Sequence, residues 1–91
     1  MSNEVVDNAE RGRFELTEQG LTAFATYRLD QDRVAIPHVE APPALRGQGT
    51  AGRLMTGLLE IIRDRGQKVV PICPYAIAFI KRHPEFQDLV A

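Results

Sequence analysis

The sequence predicts an α/β fold: a mostly antiparallel sheet of about five strands, a long helix behind a glycine-rich turn, and a short helical segment near the C-terminus. Three observations carry that prediction. Up to residue 40, apolar and polar side chains alternate in short runs separated by polar or glycine turns, the period of half-buried strands. Pro42 and Pro43 then end the pattern, because proline neither continues a ladder nor sits inside a helix. Beyond Gly47, Gly49 and Gly52 the period becomes helical, with Ala51, Leu54, Met55, Leu58, Leu59, Ile61 and Ile62 on one face.

Each element follows from local chemistry. Residues 4–8 carry Val5 and Val6 and read as a short strand; in 13–17, Phe14 and Leu16 alternate with polar side chains. Glu18-Gln19-Gly20 turns the chain into a strand over 21–29, where Phe24, Thr26 and Tyr27 favour extended structure. Asp30-Gln31-Asp32 turns again into a fourth strand over 33–40, and strands joined so tightly form an antiparallel meander. The helix is expected over about 50–65, stopped by Gly66 in a left-handed cap. Residues 68–72 read as a fifth strand, expected to be central because Val69, Val70 and Ile72 are apolar. Pro74 suits the first turn of a second helix, with Ala76, Ile77, Phe79 and Ile80 as its buried face and His83-Pro84 as its end. His83 is expected to sit by the last carbonyls of that helix.

Length and charge bound the function. With 91 residues, 44% hydrophobic and 25% charged, one small domain over 1–91 is expected, near the size where a single core is only just adequate. Eleven basic against 12 acidic residues leave a net charge of −1, which directs nothing toward nucleic acid. No apolar run approaches the ~20 residues that span a bilayer, and the polar, acidic start is unlike a signal peptide. A single cysteine, Cys73, forms no internal disulfide and fits a reducing cytoplasm. The expectation is a cytoplasmic protein with neither nucleic acid nor membrane as partner, and no metal ligands are assigned.

The segment Leu45-Arg46-Gly47-Gln48-Gly49-Thr50-Ala51-Gly52 carries the chemistry. Glycines let successive N–H groups converge without Cβ obstruction. A new helix adds unpaired N–H groups and its positive dipole end, a combination suited to phosphate. Gly47, Gly49 and Gly52 also satisfy a literal G-x-G-x-x-G. A dinucleotide fold, however, needs the glycines directly after a parallel strand and a carboxylate about 20 residues on at a strand end. Here Pro42-Pro43 intervenes, and the next strand ends at Ile72-Cys73.

Arg46-x-x-Gly49-x-Ala51 resembles instead the Q/R-x-x-G-x-G/A signature of the GNAT N-acetyltransferase superfamily, between the fourth strand and a long helix. The resemblance extends to a minimal GNAT-like subfamily through His38, Pro42-Pro43, Leu45-Arg46-Gly47-Gln48-Gly49, Pro71-Ile72-Cys73-Pro74 and Arg82-His83-Pro84-Glu85-Phe86. It runs from about His38 to Leu89. It implies a GNAT-like fold and acetyl-CoA as co-substrate, with Arg46, Gly47, Gln48, Gly49, Thr50, Ala51 and Gly52 at the pyrophosphate. By the same analogy Gly52 permits close approach of the helix, and pantetheine lies where the fourth and fifth strands diverge. Pro37 cannot donate a ladder hydrogen bond, so the fourth strand is expected to be splayed or bulged there; an ordinary edge proline is the other reading.

Acetyl transfer to an amine needs a group to accept the amine proton, donors for the developing oxyanion and a proton for the leaving thiolate. Period-two alternation puts Ile36, His38 and Glu40 on one face of the fourth strand, opposite Ala35 and Val39. His38 and Glu40 are the candidate bases. Cys73 precedes a helix start, where a thiolate is favoured; it reads as a proton donor or acyl acceptor, or equally as a buried core cysteine. Ile80 stands where larger members of the superfamily carry a tyrosine acid, and Tyr75, one helical turn earlier, is the nearby phenol. The resemblance therefore implies an acetyl-CoA-dependent N-acetyltransferase acting on an unidentified amine of a protein, peptide or small molecule. The alternative is a non-catalytic acyl-CoA binding or sensing module.

Overall fold

The structure, a computed structural model, describes residues 3–91. Among them, five strands form one sheet in sequence order: β1 (Val6–Asn8), β2 (Arg13–Glu18), β3 (Leu21–Asp30), β4 (Arg33–Glu40) and β5 (Lys68–Pro71). The first four strands are antiparallel, with Val6 facing Glu15, Leu16 facing Ala23 and Ala25 facing Val39. Gln19 and Gly20 join β2 to β3 at φ +55° and +74°, the left-handed backbone that matches a two-residue hairpin to strand twist. α1 (Thr50–Asp64) makes the crossover from β4 to β5, which run parallel. α2 (Pro74–Arg82) and a 3-10 segment, Pro84–Leu89, complete the order.

The core lies on one face of the sheet. Phe14, Leu16, Ala23, Ala25, Val34, Ile36 and Val69 meet Leu54, Leu58, Leu59 and Ile62 of α1 and Ala76, Phe79 and Ile80 of α2. Ala23 and Ala25 keep the middle of that face low, so α1 sits close. Each fully buried leucine of α1 contributes ~1.5–3 kcal/mol of transfer free energy. α1 ends as its sequence implies: Gly66 is left-handed (φ +68°), and the Gln67 N–H donates to the Ile62 carbonyl at 3.0 Å. His83 takes the expected place at the end of α2. Its Nδ1 donates to the Phe79 carbonyl at 2.7 Å, and its ring stacks on Phe79 at 3.9 Å.

Two expectations fail, one about a strand and one about a helix face. β5 is an edge strand, not a central one: β4 pairs one side, and the other carries a single bridge from Val69 to Val90. Its apolar content reflects the helices covering its face. Ile77, expected in the buried face of α2, is exposed.

The more consequential departure is in β4. Thr26 faces His38 but Arg28 faces Ala35, so Tyr27 alone stands opposite both Ile36 and Pro37. This bulge, at the expected position, offsets the pleat by one residue. Val34, Ile36 and Val39 all turn toward the core, whereas His38 and Glu40 share the opposite face with Thr26 and Phe24. The expected grouping of Ile36 with His38 and Glu40 is therefore corrected. Pairing with β5 stops at the same place. Ile36 faces Pro71, and its carbonyl accepts from the N–H groups of both Ile72 (3.1 Å) and Cys73 (3.0 Å). From Pro37 onward β4 has β3 as its strand neighbour and an open edge where β5 has turned away.

Candidate active site

α1 begins in backbone that only glycine adopts readily. Gly47 and Gly49 have φ +80° and +82°, a region where a Cβ is strained. Gly49 has no side chain to cap the helix, and the first N–H bonded within it is that of Arg53, to the Gly49 carbonyl at 3.0 Å. Among the described residues, the N–H groups of Thr50, Ala51 and Gly52 thus find no backbone acceptor, at the positive end of the helix dipole. They border a groove of about 240 Å³ lined by Ala41, Leu45, Arg46, the three glycines, Ala51 and Tyr75. A Cβ at Gly52 would meet the Tyr75 hydroxyl at 3.9 Å and Phe79 Cε2 at 3.8 Å, both ordinary contacts. Packing within the chain therefore does not demand glycine there; its absence of side chain leaves the groove open.

The side chains around this turn divide by what they already hold. Arg46 is exposed, lines the groove and forms no ion pair among the described residues. Gln48 donates through Nε2 to the Ala44 carbonyl and accepts at Oε1 from Gln19 Nε2, each at 2.9 Å, so its side chain braces the loop. Thr50 is buried, and its Oγ1 donates to Glu18 Oε1 at 2.6 Å. Glu18 also receives Arg53 Nε and Nη2, each at 2.7 Å. The Arg53 guanidinium and the Thr50 hydroxyl pull the Glu18 carboxyl down to about 2. Arg53 Nη2 reaches on to the Gln48 carbonyl at 3.0 Å. Sequence reasoning missed this clamp. The pair lies 35 residues apart, and neither local spacing nor periodicity links its members.

Glu18 and Arg53 line a different and larger concavity, about 340 Å³, between α1 and residues 3–5. The unclaimed helix N–H groups and Arg46 belong to the smaller groove, and that chemistry outweighs volume as a guide to an anion.

On the opposite face of the sheet, His38 Nε2 lies 3.1 Å from Glu40 Oε1, with about half of each side chain exposed. The Phe24 ring stands 6.1 Å from that of His38, and the Arg13 guanidinium lies 4.4 Å over Phe24. Cys73 is the residue before α2, tied to the point where β4 and β5 part by its N–H bond to Ile36. Its side chain is 9% exposed and belongs to the core cluster. The structure joins His38 to Glu40 and gathers Arg46, Gly47, Gly49, Ala51 and Gly52 around the groove, whereas Gln48 and Thr50 are not among the residues that line it. Among the described residues it forms no hydrogen bond between Cys73 and either His38 or Glu40.

The structure thus presents unclaimed helix N–H groups near Arg46, a strand pair that parts after Ile36, and a histidine–carboxylate pair on the outer face of the sheet. The family model of GCN5-related N-acetyl-transferases matches residues 13–89. The chain belongs to that family. Its members are acyl-transferring enzymes by family, and the resemblance read from Arg46-x-x-Gly49-x-Ala51 points to the same family. The NMR solution structure of a GCN5-like protein from Staphylococcus aureus superposes with a TM-score of 0.74 at 25% identity, covering 100% of this chain and 91% of the other. No curated protein sequence matches the chain. Among the described residues, no helix is long and apolar enough to cross a membrane.

Proposed function

We propose that this member of the GCN5-related N-acetyltransferase family transfers the acetyl group of acetyl-CoA to an amine. The observation that carries the reading is the groove at the start of α1. Unclaimed N–H groups of residues 50–52, the left-handed glycines and the unpaired Arg46 all converge on one site, matching the charge and the donor requirement of a diphosphate. In this reading Gly47, Gly49, Thr50, Ala51 and Gly52 bind through the backbone and Arg46 through its guanidinium, while Gln48, whose N–H donates to the Leu45 carbonyl at 3.3 Å, shapes the turn at the diphosphate. Pantetheine would run toward the split beyond Ile36.

Acetyl-CoA supplies an activated acyl group; the residues of this chain supply position and proton handling. His38 would accept the proton of the attacking amine, which approaches from the open face of the sheet. Glu40, bonded to the same imidazole, would orient the ring and stabilise its charged form. Cys73 would stand at the split as proton donor to the leaving thiolate. The acceptor is an amine of a protein, peptide or small molecule. A second reading, acyl-CoA binding without efficient transfer, is favoured by Ile80: it is 4% exposed within the core, so no acid operates from the position where the superfamily resemblance expects tyrosine.

Calorimetry with CoA tests the reading. The wild type should bind, and Gly49→Val should lose affinity while its circular dichroism stays that of a folded chain. Valine is strained at φ +82°, and its Cβ would lie 3.0 Å from Arg53 Nη1. Unchanged affinity would reject the groove, and preference for NADH would restore the dinucleotide reading. Mass spectrometry with acetyl-CoA and an amine library then separates enzyme from binding module.

A further inference from the structure

The two tyrosines are held in opposite ways. Tyr27 donates its hydroxyl to Asp7 Oδ1 at 2.6 Å. The Tyr75 hydroxyl makes no hydrogen bond among the described residues, although its ring is seated against Phe79 with centroids 6.4 Å apart. Its oxygen lies 3.9 Å from where a Cβ of Gly52 would stand. Gly52 is the third residue of α1, so the phenol hangs over the first helical turn, beside N–H groups that also lack acceptors. It lines the same groove as Arg46 and Gly49. Three kinds of donor therefore border one concavity: backbone N–H groups, a guanidinium and a phenol. Partial burial raises the Tyr75 phenol, which keeps its proton in place as a donor.

We propose that Tyr75 is a diphosphate-binding residue, donating its phenolic hydrogen to a phosphate oxygen seated on the first turn of α1. The proposal rests on the reading of this groove as the CoA site. It also separates Tyr75 from the acid role. A proton donor to the leaving thiolate must stand where β4 and β5 part, near Ile36 and Cys73, whereas this hydroxyl lies at the helix end.

The test is calorimetry of the full chain, wild type and Tyr75→Phe, with CoA and with 3′-dephospho-CoA. Phenylalanine keeps the ring against Phe79 and removes a hydroxyl without a partner, and a thermal melt checks that the fold is intact. Losing one hydrogen bond to a charged group should weaken CoA by about tenfold or more. Dephospho-CoA should lose the same factor, because it retains the diphosphate. In turnover, the loss should fall on KM for acetyl-CoA rather than on kcat. Wild-type affinity in Tyr75→Phe would overturn the proposal. So would a penalty that vanishes with dephospho-CoA, which would move the hydroxyl to the 3′-phosphate, or a fall in kcat at unchanged affinity, which would make Tyr75 the acid. A wild type that ignores CoA would overturn the groove reading and Tyr75 with it, and the wild-type titration alone shows that case.

Discussion

Glu18 and Arg53 lock the end of β2 to the first turns of α1 through two parallel hydrogen bonds of 2.7 Å. The carboxylate also receives Thr50, and the guanidinium also reaches the Gln48 carbonyl. One pair therefore fixes residues 48–50 from the side away from the groove. Isolated surface ion pairs stabilise little; this one acts through geometry, holding from α1 a glycine turn that the Gln48 side chain braces from within.

The pH dependence of Glu18 follows from its depressed carboxyl, about 2 against an ordinary 4.5. A lowered folded-state value gives stability that is fully present above 4.5 and lost as pH falls through about 2. Glu18→Gln should therefore lose stability less steeply than the wild type across that window. Glu15 and Asp88 are also lowered, by Arg13 and Arg63, so both proteins keep a slope and the difference belongs to Glu18. Urea midpoints at half-unit pH steps measure it, and parallel curves would refute the clamp.

Gly57 gives a prediction opposite to helix propensity. In an exposed helix, Gly→Ala gains about 1 kcal/mol. Here Asn3 Nδ2 donates to the Gly57 carbonyl at 2.7 Å, and a Cβ would stand 2.8 Å from Val5 Cβ, 2.6 Å from Asn3 Oδ1 and against Val5 Cγ2. Gly57→Ala should destabilise by ~1–3 kcal/mol as the N-terminal segment is forced off α1. A variant more stable than the wild type would show that residues 3–5 do not pack there in solution.

For His38 and Glu40 the readout is the pH–rate profile. A general base acts only in its unprotonated form, so catalysis by such a group gives the profile an acid limb. His38→Gln should lower turnover by ~10²–10⁴ and flatten that limb, with CoA affinity retained. Glu40→Gln should lower turnover less, since it removes the partner and not the base. An unaltered acid limb in His38→Gln would remove the histidine from the chemistry.

Cys73→Ala separates a thiol that transfers protons from one that only fills space. Participation predicts at least about a tenfold fall in turnover, or about 1.4 kcal/mol of barrier, with little change in stability. Full turnover would make the residue structural. An acetyl mass on the wild type that the variant lacks would identify an acyl acceptor.

The parts legible in the sequence are those written in neighbouring residues. Gly66 stops α1, Pro74 starts α2, and Gln19-Gly20 closes a hairpin because each acts through its own backbone. The groove residues were legible through a motif and through the physics of glycines before a helix. What failed depended on partners far along the chain. An apolar strand covered by helices reads the same whether it is central or at an edge, so β5 was misplaced. Counting by twos through Pro37 put His38 on the face of Ile36, because a bulge is defined by the opposing strand, and only Tyr27 reveals it. Glu18 and Arg53 carry no shared local signal at all.

The bulge in β4 makes the strand a splice of two parities. Odd-numbered Val39 and even-numbered Ile36 both look inward, so the strand can bury its first half and still present His38 and Glu40 outward. Deleting a single residue between 36 and 38 would bring the two halves into phase. Ile36, His38, Val39 and Glu40 would then keep their present faces in one unbroken alternation, whereas closing the bulge at the present length would turn His38 toward the core and Val39 toward water. At this length of strand, the outward face of His38 and Glu40 thus depends on the bulge opposite Tyr27 rather than on the identity of the residue it absorbs.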